Sequence, residues 1–357
     1  MVLDLQGDVA ALTAAIMDIE SVSGNERALA DAVEAALSLL PHLSVTRNGD
    51  SIVARTSLGR AERVILAGHL DTVPLPTTPG ARGTVPSSWD NEVLYGRGAT
   101  DMKGGVAVQL ALAAALTQPN KDVTYVFYDH EEVAASKSGL GRLVRENREL
   151  LDADFGILLE PTNGTVEGGC NGTIRFEVTT RGLAAHSARA WMGENAIHAA
   201  APILARLAAY EPATVTVDGL DYRESLNAVK VHGGTAGNVI PDLCVVEVNY
   251  RFAPDKTPAQ AEAAVRELLH GFEMVCTDSS AGARPGLNAP AAASFVAAVG
   301  RVPLPKYGWT DVARLSEMGI PAVNFGPGDA LLAHSDNEHV AAADIRECLA
   351  ALLRWLA

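Results

Sequence analysis

Residues 122–132 read DVTYVFYDHEE: a β-branched and aromatic run that stops at consecutive ionisable residues, Asp129, His130, Glu131 and Glu132. Such a run reads as a strand buried on both faces, the environment of a parallel sheet. Burying an unpaired charge is costly, so adjacent carboxylates at the exit of that strand call for a positive partner. Outward from this stretch the same style repeats. RVILAGHL (63–70), DMKGGVAVQLALAAAL (101–116), SGLGRLVRENREL (138–150) and DFGILLEP (154–161) alternate strand-like runs with helical segments. That alternation predicts βαβ units, and hence an α/β fold with a mixed, mostly parallel sheet flanked by helices. Ligands of such sheets gather at the C-terminal ends of the strands.

The pattern changes near residue 173. TIRFEVTTRG (173–182) alternates with period two, ENAIHAAAPILARLAAY (194–210) is helical, and LNAVKVHGG (226–234) and CVVEVNYRFAP (244–254) read as strands. TPAQAEAAVRELLHGF (257–272) is a helix with Thr257 as candidate N-cap, and EMVCTD (273–278) is a last strand. The order β-α-β-β-α-β predicts a ferredoxin-like α+β domain at 174–283. SSAGARPGLNAP (279–290) reads as a linker, after which IPAVNFGP (320–327) and the terminal helix AADIRECLAALLRWLA (342–357) return to the first style. The expectation is a catalytic domain of 1–173 and 284–357 with the smaller domain inserted.

A chain of 357 residues exceeds what one core comfortably serves, which also favours two domains. The net charge of −15 disfavours nucleic acids and anionic membranes as partners. Cys170, Cys244, Cys276 and Cys348 are scattered without paired spacing, so a reducing cytoplasm is the expected setting. The N-terminal stretch lacks the basic start and unbroken apolar core of a signal peptide, and no window has the length and apolarity of a membrane span.

Chemistry-bearing residues fall at the strand exits. GHLDTVP (68–74) carries His69 and Asp71, GRGATDMKGG (96–105) carries Asp101, DHEEV (129–133) carries Glu131 and Glu132, and LLEPT (158–162) carries Glu160. AHSDNEHV (333–340) adds His334. Each alone has an ordinary reading: a hydrogen-bonded histidine, a helix N-cap at Asp101, a solvated turn at Glu131 and Glu132, a strand terminus at Glu160. Together at one sheet edge they form a donor set suited to Zn²⁺ or a similar divalent ion, large enough for two ions sharing a carboxylate. A pair of dications would offset the repulsion between Glu131 and Glu132. One glutamate would then bind metal while its neighbour acts as general base. Asp71 is expected to accept the second imidazole N–H of His69. HExxH, GxSxG and GxxxxGK[ST] are absent.

In this order and over nearly the whole chain, the clusters resemble those of the dizinc aminoacylase/carboxypeptidase peptidases called the M20 family. The resemblance implies His69, Asp101 and Glu160 on one metal and Glu132, Asp101 and His334 on the other, with Asp101 bridging, Zn²⁺ as the ion and Co²⁺ as the alternative. It implies Glu131 as general base for a bridging hydroxide. GLAAHSARAWMGENAI (182–197) resembles the family's lid motif, whose histidine, here His186, reaches across a homodimer formed through the lid to polarise the scissile carbonyl. The resemblance of GGTAGNVIPD (233–242) and VNYRF (248–252) to segments of relatives implies Asn238 and Arg251 as substrate contacts, and that of TDVAR (310–314) implies Thr310 and Arg314 as further candidates. The implied activity is hydrolysis of a small anionic N-acyl amino acid. The competing expectations are another acyl group or amine, a dipeptide substrate, and a metal-dependent binding module without turnover.

Overall fold

The computed structural model describes residues 3–357. It divides into two compact units, the first comprising the chain through Gly168 with Gly286–Leu304 and Arg314–Ala357, the second Gly169–Pro285 with Pro305–Ala313.

An eight-stranded sheet organises the first unit, in the order Ser44–Asn48, Ser51–Arg55, Asp122–Tyr128, Arg63–His69, Phe155–Leu158, Ala322–Asn324, Glu167–Gly168 and Leu304–Pro305. The strands from Asp122–Tyr128 through Ala322–Asn324 run parallel, as the alternating pattern predicted, while Ser44–Asn48 with Ser51–Arg55, Ser51–Arg55 with Asp122–Tyr128, and Ala322–Asn324 with Glu167–Gly168 pair antiparallel. Every residue of Asp122–Tyr128 is buried, which explains why its sequence is apolar on both faces rather than alternating. The helix Lys103–Ala115 crosses between the first two parallel strands and is buried on all sides, packing on Arg63–His69 and against the helices Val9–Met17 and Ala342–Leu356. Gly105 permits this approach: a Cβ there would stand 2.2 Å from the carbonyl oxygen of Leu159. A small antiparallel sheet of Ser88–Asp90, Val93–Tyr95 and His339–Ala341 ties the C-terminal segment to the stretch preceding Asp101.

The second unit is built on a four-stranded antiparallel sheet in the order Ser225–Gly233, Leu243–Phe252, Gly172–Arg181, Glu273–Ser280. Phe176, Val178, Val246 and Val248 point to one face and are buried with Ile203 and Val265 from the helices Ala201–Ala208 and Pro258–Leu268. Strand order and connectivity are those of the ferredoxin-like arrangement. Thr257 caps its helix in a reciprocal box with Gln260. The segment expected as one helix at 194–210 is broken into Ala196–Ala199 and Ala201–Ala208, because Pro202 has no N–H to donate to the preceding turn. Among the described residues no helix is long and apolar enough to cross a membrane.

Candidate active site

The C-terminal ends of the parallel strands carry the site. His69 ends Arg63–His69, Asp129 to Glu132 follow Asp122–Tyr128, and Glu160 lies two residues beyond Phe155–Leu158. Asp101 immediately precedes the buried helix but does not cap it: the N-cap is Met102, without a side-chain hydrogen bond. The Asp101 carboxylate turns instead to the imidazoles. Its Oδ1 lies 3.1 Å from His69 Nε2 and its Oδ2 lies 3.3 Å from His334 Nε2. His334 Nε2 is also 2.9 Å from Glu132 Oε1. Among the described residues, ligand atoms of His69, Asp101 and Glu132 lie within 4.8 Å of one another. Glu160 is buried and stands outside that mutually close set.

The chemistry of these contacts calls for a cation. His69 Nδ1 is 2.9 Å from the main-chain carbonyl of Asp71, an acceptor only, so Nδ1 holds the proton and Nε2 of the neutral ring presents a lone pair. That lone pair faces a carboxylate oxygen. Two lone pairs at 3.1 Å are compatible only with a proton or a metal ion between them. Burial works against protonating His69, but Asp101, Asp71 and Glu131 together raise its pKa well above the ordinary value. Hydrogen bonds to Asp101 and Glu132 raise His334 to about 10. Burial works against ionising Asp101, but the two imidazoles outweigh it and lower its pKa. A divalent ion replaces such protons directly, and one Asp101 oxygen toward each imidazole is the geometry of a shared carboxylate. The donor set therefore fits a metal centre. His334 has φ +63°, a left-handed conformation that costs a non-glycine residue about 1–3 kcal/mol and is characteristic of functional loops.

The DHEE turn finds several partners. Asp129 accepts from Arg142 Nη2 at 2.6 Å, Ser51 Oγ at 2.5 Å and His130 Nδ1 at 2.7 Å. Burial raises its pKa, but these donors, Arg142 foremost, outweigh it and hold the carboxyl below its usual range. His130, at φ +59°, reverses the chain. The next two N–H groups, of Glu131 and Glu132, donate to Asp71 Oδ1 and Oδ2 at 2.9 and 3.0 Å. Ser23 Oγ donates to Asp71 Oδ2 at 2.6 Å. The structure thus corrects one sequence expectation. The Asp71 carboxylate, 3.6 Å from His69 Nδ1, anchors the Glu131–Glu132 turn, while its own carbonyl orients the imidazole.

In the second unit His186 is exposed, its strand pairing with Val239–Ile240, and Ser187 N donates to the carbonyl of Asn238 at 2.9 Å. His186 Nδ1 accepts from Ala188 N at 3.1 Å, which leaves the proton of the neutral ring on Nε2 as a donor facing outward. Arg251, half-buried, donates from Nε to Asn249 Oδ1 at 3.1 Å. The register pairs Arg251 with Ser225 and Cys244 with Gly233, so Arg251 lies seven residues, roughly 23 Å at the strand rise, from the strand end at Cys244 that follows Val239–Ile240, the partner of the His186 strand. Thr310 is buried with its carbonyl 3.7 Å from Cys170 Sγ. Arg314, in the first unit, lies against Gly141 and lines a cleft with Arg145, Arg148 and Glu317.

Sequence reasoning missed Ser23, Arg142, Arg97 and Glu338, all held to the site by contacts between distant segments. Glu338, buried, accepts from the main-chain N–H groups of Thr100 and Asp101 and from Arg97. Only its position four residues after His334 could have signalled it.

The family model for peptidase family M20/M25/M40 matches residues 65–357. A Mycobacterium tuberculosis protein provisionally named a succinyl-diaminopimelate desuccinylase is 50% identical over 357 residues, covering 99% of this chain and 99% of its own. The succinyl-diaminopimelate desuccinylase of Corynebacterium glutamicum is 44% identical over 365 residues, covering 99% of this chain and 97% of its own. An M20 family metallo-carboxypeptidase from Sulfolobus solfataricus superposes with a TM-score of 0.79 at 15% identity, covering 98% of each chain.

Proposed function

The chain belongs to peptidase family M20/M25/M40, and from that premise we propose that it hydrolyses N-succinyl-L,L-2,6-diaminopimelate to succinate and L,L-diaminopimelate, a step of diaminopimelate and lysine biosynthesis. The full-length identity to the corynebacterial desuccinylase carries the substrate assignment, and the site supports the chemistry. The four free cysteines support a cytoplasmic setting.

His69, Asp101 and Glu160 would hold one divalent ion and Glu132, Asp101 and His334 a second, with Zn²⁺ the best match to imidazole and carboxylate donors and Co²⁺ the alternative. Bound there, such ions acidify water and polarise the acyl oxygen. Glu131 takes the proton from the attacking water and returns it to the departing amine. Asp71 keeps Glu131 and Glu132 on their separate headings by holding both of their N–H groups. His186 Nε2–H donates to the developing oxyanion, while Asn238, Arg251, Thr310 and Arg314 are the candidate contacts for the substrate's amide and carboxylates. The first unit is the metal-binding catalytic domain and the second the lid.

The test is hydrolysis by chelator-stripped protein with and without zinc, offered the succinyl substrate, N-acetylornithine and dipeptides in parallel. Zinc-restored turnover of the succinyl substrate alone is expected. Turnover of another member of the panel alone would overturn the substrate, and zinc-bound protein without any turnover would leave a binding module.

Two observations support a homodimer through the lid. Asn227 to Gly233 lie exposed along the edge strand Ser225–Gly233, with Val229 58% and Val231 49% accessible, an edge that natural proteins normally cover. His186 and Arg251 also sit too far apart on one lid to serve one small substrate. Val229→Lys combined with Val231→Lys is expected to give a monomer in light-scattering chromatography and to lower kcat by about 10²–10³-fold, as loss of one oxyanion donor does. A fully active monomer would remove the second copy from the reading.

A further inference from the structure

Asp101 sits on a glycine-rich turn, GRGATDMKGG, in which Gly98 has φ +83°. Such backbone is free to adopt other conformations, so something must fix the direction of the Asp101 side chain. His334 lies on a separate loop far along the chain and carries its own unfavourable backbone angle. Yet the two loops present Asp101 Oδ2 and His334 Nε2 3.3 Å apart.

We propose that Glu338 is the positioning residue that locks these two loops together and so sets the spacing of the metal ligands Asp101 and His334. Its Oε1 accepts from Thr100 N and from Asp101 N, both at 3.1 Å, gripping the main chain at the ligand residue itself. Its Oε2 accepts from Arg97 Nη1 at 2.8 Å, and both partners are almost fully buried, at 1% and 4% side-chain exposure. Arg97 Nη1 also donates to the carbonyl of Ser335, the residue after His334, at 3.3 Å. Two further bonds close the clamp: Thr100 Oγ1 to the carbonyl of His339 at 2.7 Å and Gly96 N to the carbonyl of Glu338 at 3.1 Å.

A buried ion pair is a poor way to gain stability alone, since apolar residues of similar size serve as well or better. It is a good way to specify one register between two loops, because a displaced loop leaves a charge and two N–H groups unpaired in the interior. Placing a carboxylate this close to Asp101 adds further repulsion. That makes sense for a residue whose task is to aim Asp101 at cations, in the way outer carboxylates orient ligands in metal sites.

The inference rests on the metal reading of the site, and its test separates the two. Zinc-free wild type, Glu338→Gln and Glu338→Ala would be titrated with zinc against a competing chelator, with amide hydrogen exchange and melting temperature measured on the zinc-free forms. Glu338→Ala is expected to weaken zinc binding by about 10–100-fold, the usual range for an outer partner of a metal ligand. It should also speed exchange at Thr100 and Asp101. Glu338→Gln keeps a carbonyl acceptor for those two N–H groups and should fall between. Wild-type zinc affinity in a folded variant whose melting temperature alone has dropped would overturn the proposal. Should Glu338→Ala fail to fold, an unchanged affinity in Glu338→Gln would do the same. Wild type that takes up no zinc would remove the metal centre itself, a result visible before any variant is compared.

Discussion

Glu131→Gln is expected to bind zinc as the wild type does and to lose kcat by about 10²–10⁴-fold with KM little changed. The expectation follows from how the turn is held. The main-chain N–H groups of Glu131 and Glu132 are both fixed by Asp71, so the amide of glutamine can replace the carboxylate without releasing the backbone. Glu132, not Glu131, pairs with His334, so the ligand contact survives the substitution. What disappears is a group able to take a proton from water and hand it to an amine. Zinc content by atomic spectroscopy and steady-state kinetics on the succinyl substrate decide it. Near-wild-type turnover with two ions bound would assign the base elsewhere, and loss of zinc alongside loss of turnover would make Glu131 a ligand rather than a base.

The fold was legible because its signals are local. Asp122–Tyr128 is apolar on both faces since parallel strands are covered on both, and the period-two run after residue 173 marks a sheet covered on one. His69, the Glu131–Glu132 turn and Glu160 were legible as strand exits because topology, not detail, fixes where parallel strands end, whereas Asp101 precedes a helix and His334 lies on a loop. Contacts between distant segments were not. The charge after Tyr128 is met first by Arg142, a residue of the following helix with no mark of that role in its own sequence. Asp71 could be placed near His69 from spacing alone, but which of its oxygens meets the imidazole depends on where the Glu131 turn arrives, 60 residues on. Glu338 reaches Asp101 across 237 residues, and in a loop of Ser, Asp and Asn nothing distinguishes it from a solvated carboxylate. Pro202 is the opposite case, a local signal that breaks the helix in spite of the helical periodicity around it.

Asp101→Asn tests the centre more severely, because this one carboxylate faces both imidazoles. Losing its charge should weaken zinc binding by more than about 10²-fold, beyond what residues that merely orient a ligand cost, and abolish measurable turnover at ordinary zinc concentrations. The same substitution should leave a signature in zinc-free protein. His334 is raised from an ordinary value near 6.5 to about 10 by Asp101 and Glu132, so the folded state holds its proton more tightly than the unfolded chain does. A raised pKa of this sign contributes stability in full below about 6.5 and loses it as pH climbs toward about 10. The melting temperature of zinc-free wild type should therefore fall over that interval, modestly because the ring is half exposed, and Asp101→Asn should flatten the fall. Zinc affinity must run the other way, weakening as pH drops, because the ion and the protons compete for the same nitrogens. Opposite slopes in wild type, both reduced in the variant, would identify the space between Asp101 and the two imidazoles as one cation site used alternately by protons and metal. A melting temperature indifferent to both pH and the substitution would mean that the imidazoles are neutral and the carboxylate is satisfied by some other donor.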